Sequence, residues 1–170
     1  MSGTLLACVA ALAGVGQPVV AWGKPADGLQ AGIRSAAAPQ RVASGKVLEF
    51  EVVVRNIQER GTITLSVPEG TWYSGTAEKG VVALSPGGIA GGAVGVGTSL
   101  NPGAEVVIGR VFLGLPGARP NAGHLVELPA GKYRVGSEGV LPPPGLVSPL
   151  SGRTPELRTG YLDVELRAAE

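Results

Sequence analysis

Cysteine is all but missing: Cys8 is the single one, and it sits inside an apolar N-terminal run. One thiol cannot close an internal disulfide, so a disulfide framework is excluded, and beyond the N-terminal run there is no cysteine nucleophile. Histidine is as scarce, with His124 alone. Aspartate is limited to Asp27 and Asp163. A metal site wants several His, Cys, Asp or Glu gathered together, and this chain could supply little beyond glutamates. A serine–histidine mechanism would have to recruit His124 with no Gly-x-Ser-x-Gly elbow in the chain. The expectation is no metal, no cofactor and no catalytic residue.

Charge is also thin and balanced. Charged residues make up 16% of the chain and leave a net charge of +1, which gives no basic footprint for nucleic acid or an anionic membrane surface. Apolar residues reach 44%, too many for a disordered chain. Helical periodicity is hardly seen beyond the first twenty or so residues. What is abundant is turn-forming residue: 28 glycines and 14 prolines, without the every-third-residue glycine of collagen. Many turns joining short strands accounts for both.

The stretch at 46–56, KVLEFEVVVRN, organises the rest. Leu48, Phe50, Val52 and Val54 share one face of an extended strand, and Val47, Glu49, Glu51, Val53 and Arg55 share the other. Phe50 is therefore a predicted core residue. The same alternation predicts strands at 29–34, 62–67, 81–84, 105–115 with a bulge near Gly109, 125–128, 132–135 and 160–167. Trp72 and Tyr73 fall in a turn-rich connection. The run SPGGIAGGAVGVG at 85–97 reads either as a flexible loop or as a strand closely approached by another backbone. It is no phosphate cradle, because no Gly-Lys-Ser/Thr follows. Residues 136–155 form a long loop stiffened by Pro142, Pro143 and Pro144. The predicted fold is all-β, an antiparallel immunoglobulin-like β-sandwich of about seven to eight strands.

The N-terminus reads differently. LLACVAALAGVG at 5–16 is uncharged and apolar, but shorter than the roughly 20 residues a membrane span needs. With small residues near Val19-Val20-Ala21, residues 1–21 are predicted to be a secretory signal cut after Ala21, and 22–170 the exported domain. The competing reading keeps this segment in the fold as an N-terminal strand or short helix.

Trp22, Trp72 and Tyr73 are the candidate binding residues, since exposed aromatics on a sandwich can stack on sugar rings or anchor a partner protein. Against this, Trp22 can plug one end of the core, and Trp72-Tyr73 can place one ring in and one out. Tyr133, soon after the Pro129-Ala130-Gly131 turn, fits a tyrosine corner whose hydroxyl bonds backbone to close a loop. Glu49 and Glu51, ~7 Å apart on one strand face, are explained as well by a solvated face as by a paired-carboxylate site.

Several pieces taken together resemble a known module. Trp22-Gly23 followed by Gly28-Leu29-Gln30 and Gly32 looks like the "WG…GLQ.G" opening of a β-sandwich domain in secreted and membrane-anchored proteins of planctomycete-type bacteria. LEFEVVVRN, SLNPGAEVVIG, LPAGKYRV and LRTGYLDVEL come in the same order and span nearly all of the chain after the leader. In some relatives such a module is the extracellular part of a membrane metallopeptidase of the antibiotic-sensor type. This chain has no His-Glu-x-x-His, so the resemblance implies the fold and no peptidase activity. The functional expectation is a non-catalytic exported binding or assembly module acting through loops or an exposed strand edge, with another envelope or secreted protein as partner. The alternative is a carbohydrate-binding module with an exposed aromatic platform. No nucleic acid and no transmembrane span after leader removal are expected. An enzyme gathering His124 with Glu127 or Glu138 is the weakest reading.

Overall fold

The computed structural model describes residues 18–35, 40–42, 46–68, 70–89, 95–120, 124–137 and 155–168. Outside them lie most of the N-terminal run, with Cys8, and nearly all of the proline-containing loop, with Glu138.

Among the described residues every regular element is a strand, and there are twelve. They are β1 (Val19–Trp22), β2 (Leu29–Ser35), β3 (Gln40–Val42), β4 (Val47–Asn56), β5 (Ile63–Pro68), β6 (Thr71–Glu78), β7 (Val81–Ile89), β8 (Gly95–Leu100), β9 (Glu105–Gly114), β10 (Leu125–Glu127), β11 (Gly131–Gly136) and β12 (Tyr161–Leu166). The main sheet runs β1-β2-β4-β9-β6-β7-β11-β12-β3 with β10 beside β9, and β5 and β8 form a separate two-stranded ribbon.

Phe50 is fully buried at the middle of β4, with Leu48, Val52 and Val54 on the same face. β4 lies between β2 and β9 and forms antiparallel ladders with both. Its other face departs from simple alternation, because Val53 is also fully buried. Val53 pairs with Gly32, and the side chains of Val20 and Trp22 lie over Gly32, so the outside of the sheet is covered here as well. In β9 the register slips opposite Val52 and Val53, leaving Ile108 without a counterpart beside Gly109. A Cβ on Gly109 would stand 2.5 Å from Cε2 of Tyr73, so this glycine makes room for that ring.

The pairing is mixed, not purely antiparallel. β10 runs parallel to β9, β11 to β7, and β12 to β3. Alternation along one strand tells which face is buried and nothing about the direction of its neighbour, so the sequence pattern could not distinguish the two. The sheet also curls until its ends approach. The Gly160 N–H donates to the Ala21 carbonyl at 3.0 Å. Side chains would keep these backbones apart: a Cβ on Gly160 would stand 2.8 Å from the Trp22 carbonyl oxygen, and one on Gly23 would collide with the Arg158 carbonyl. The result is a nearly closed, barrel-like sheet with the core inside it.

Two turns set the strand lengths. Asp27-Gly28 and Lys79-Gly80 both have positive φ, 50° and 75° for the first pair and 49° and 78° for the second. That is the geometry of a two-residue hairpin turn whose twist matches its strands. The second turn joins β6 to β7 from Glu78 to Val81. It thereby corrects the placing of Trp72 and Tyr73, which lie within a strand. Of the two readings of the glycine-rich run, the strand is the one that holds at its start, where β7 continues through Pro86, Gly87 and Gly88.

Candidate functional site

The three candidate aromatics have different surroundings. Trp22, at the end of β1, is half-buried on the outer face, its ring lying over Gly32. The Arg55 guanidinium carbon sits 4.0 Å from the centre of that ring, which is cation–π geometry. Arg55 is held there by the Gln30 side chain, whose Oε1 accepts from Nε at 2.9 Å and from Nη2 at 2.6 Å. The Gln30 amide nitrogen donates in turn to the Gly23 carbonyl at 2.7 Å. The residues of the WG…GLQ.G signature thus meet in one clasp. Gly28 makes the turn, Leu29 is buried, Gln30 braces Arg55, Gly32 accepts the Trp22 ring, and Gly23 allows the approach to Arg158. Each role is structural.

Tyr73 is fully buried, and burial pushes its hydroxyl well above the ordinary tyrosine pKa. Trp72, next along the strand, points the other way and is half-buried on the outer face. The two rings lie on opposite sides of the sheet and cannot form one platform. The companions of Trp72 come from elsewhere. Its ring lies over Gly87 and Gly88, and His124, itself exposed, stands beside it with ring centroids 5.2 Å apart and planes inclined at 37°.

Trp72 continues a row of outward residues. Arg34 on β2 pairs with Glu51 on β4, Glu51 with Arg110 on β9, and Arg110 with Trp72 on β6. Charge alternates along the row. Arg34 Nη2 is 2.7 Å from Glu51, and its Nη1 is 3.3 Å from Glu105. Arg110 reaches Glu49 at 3.2 Å and Glu51 at 3.8 Å. Glu49 and Glu51 are therefore partners of arginines rather than an isolated carboxylate pair. A second outward region, an open groove of about 510 Å³, collects Lys79, Lys132 and Arg134 with Asp163 and Glu165 beside Tyr133. The Tyr133 hydroxyl donates to the Pro129 carbonyl at 2.9 Å, four residues back.

The β5–β8 ribbon stands apart from both. Ile63, Leu65 and Leu100 point into the core, while Thr64, Ser66 and Ser99 are exposed. The ribbon is fastened to the main sheet by Asn56. This fully buried side chain donates to the carbonyls of Gly61 and Leu100, each at 2.9 Å, and accepts from the Gln58 N–H at 3.0 Å. All its polar atoms are satisfied, as a buried amide requires.

Among the described residues, no three of His, Cys, Asp or Glu gather as a metal site, and no helix is long and apolar enough to cross a membrane. No protein-family model, curated protein or solved structure matches the chain. Sequence reading did not single out Asn56, Arg34, Arg110 or the Trp72–His124 contact. Trp72 and His124 are far apart in the chain, and only the pairing of β10 with β9 brings them together. The asparagine ending an apolar strand was the one local signal for Asn56.

Proposed function

We propose that the protein is a non-catalytic, exported binding or assembly module that accepts an extended segment of another envelope or secreted protein along the β5–β8 ribbon. The carrying observation is the nature of that ribbon's edges. Among the described residues β5 and β8 pair only with each other, and ITLSVP and GVGTSL contain no charged residue. Sheets ordinarily guard an edge with lysine, proline, a bulge or a covering element. Here proline comes only at the last position of β5. An added strand would gain main-chain hydrogen bonds from the edge, with apolar residues toward the core and small polar ones outward, following Ile63, Leu65 and Thr64, Ser66.

Export is supported by the apolar run at 5–16. Kinship with the planctomycete-type module, and with it an immunoglobulin-like sandwich, is part of the same proposal. It is supported by the joining of the WG…GLQ.G residues into one clasp and by the β5–β8 layer packed against the main sheet. The mixed strand directions weigh against a strict sandwich.

The test uses short fluorescent peptides that alternate valine or isoleucine with threonine or serine. Fluorescence anisotropy should show saturable binding to the wild type, weakened about tenfold or more by the double change Thr64→Lys with Ser66→Lys, which places charge on the exposed face of β5. Absence of binding across the panel, or equal binding by the lysine variant, overturns the proposal.

A further inference from the structure

We infer that Trp72, with Arg110, Glu49 and His124 around it, is a stacking site for one ring of a neutral polysaccharide. This site is separate from the β5–β8 edge and does not depend on strand addition there.

Three observations converge on it. The first is the floor under the indole. The register between β6 and β7 slips at this point, so that Trp72 pairs with Gly88 and Tyr73 with Pro86, leaving Gly87 as the extra residue. Both glycines then meet the same ring. A Cβ on Gly88 would stand 3.0–3.2 Å from Cζ2, Cε2 and Nε1, and one on Gly87 would run into Cζ3, Cε3 and Cη2. Contact from the pyrrole side across to the far edge of the six-membered ring means that the indole lies flat on the strand. One face rests on backbone, and the ring stays half-buried on the outer side of the sheet, where His124 also stands. A flat aromatic face fixed from beneath is what the C–H face of a pyranose stacks upon, because the apolar ring surface is presented without rotamer entropy to lose.

The second is the polar rim. Arg110 is the direct cross-strand neighbour of Trp72, with its side chain 55% exposed, and Glu49, 46% exposed, lies 3.2 Å from it. A guanidinium and a carboxylate side by side offer donors and acceptors together, which suits neighbouring hydroxyls that both give and take hydrogen bonds. At 5.2 Å between centroids and 37° between planes, His124 is tilted against the indole and adds a second, polar ring to the site.

The third is charge. Glu49, Glu51 and Glu105 face Arg34 and Arg110, and Arg55 stands opposite Glu105, so the charges of this surface balance. A polymer of uronic acids would find no net attraction there, and a neutral one needs none.

Affinity electrophoresis tests the site. Native gels containing soluble β-glucan, xylan, mannan or polygalacturonate should show wild-type protein retarded by at least one neutral polymer and not by polygalacturonate. Trp72→Ala should weaken that retardation about tenfold or more, as loss of a central aromatic contact does. Glu49→Gln removes the carboxylate beside Arg110 and should weaken it severalfold relative to the variant's own migration in polymer-free gels, while circular dichroism reports an intact fold. Migration unaffected by every neutral polymer, retardation by polygalacturonate, or retardation that survives both substitutions overturns the inference. Neither result bears on peptide binding at β5.

Discussion

Tyr73 shows how one residue connects sequence, packing and solution behaviour. Its ring fits because position 109 is glycine, and its burial disfavours the phenolate. The sign of the resulting pH dependence follows from the proton count. Above the unfolded-state pKa of 10.0 the unfolded chain loses the Tyr73 proton while the folded chain keeps it, so the unfolded state binds fewer protons. Stability from this group is complete below pH 10 and falls as pH rises beyond it, by about 1.4 kcal/mol per pH unit. Urea denaturation between pH 9 and about 11.5 should show this decline in the wild type, and Tyr73→Phe should make it shallower. An equal decline in both would mean that Tyr73 ionises freely in the folded protein. That one ring of Trp72-Tyr73 points in and the other out was legible in adjacent positions of an extended chain. Which ring points inward was not, because that depended on Gly109, a residue far along the sequence on a strand with which β6 shares a single bridge.

At the scale of elements, β1 matters more than its four residues suggest. It pairs with β2 from Val19 to Trp22, carries Val20 and Trp22 over Gly32, and offers the Ala21 carbonyl to Gly160. A leader cut after Ala21 would remove three of those four residues and the acceptor at the closure of the sheet. A chain beginning at Pro18 keeps β1 whole. Thermal unfolding should therefore separate the two: the chain beginning at Trp22 loses ladder hydrogen bonds, each worth about 1 kcal/mol, and should melt several degrees lower, at about 2–4 °C per kcal/mol for a domain of this size. Equal melting temperatures would show that β1 contributes nothing to closure. The strands of greatest alternation, β4, β5 and β12, were visible in sequence because each has one face in the core. β7 was unambiguous only in its first half, since Pro86, Gly87 and Gly88 read equally as loop or as a closely approached strand; they are strand, and it is the Trp72 ring that lies close upon the two glycines.

The whole molecule is a curled sheet whose outer surface is braced by ion pairs and the Trp22 clasp, with one short ribbon packed on the core whose strands, among the described residues, pair only with each other. Surface ion pairs such as Arg34–Glu51 contribute little individually, about 0–1 kcal/mol, so the main stabilisation lies in the apolar interior. In the proposed function the role falls to the edges of β5 and β8, which pair with no third strand among the described residues. Residue-resolved amide hydrogen exchange on the free protein tests this most directly. Amides of β4, bonded to β2 and β9 on its two sides, should exchange only through global unfolding, while the outward amides of β5 and β8 should exchange at least about a hundredfold faster. Exchange from β5 and β8 as slow as that from β4 would mean that those edges are already covered and would contradict the proposed role.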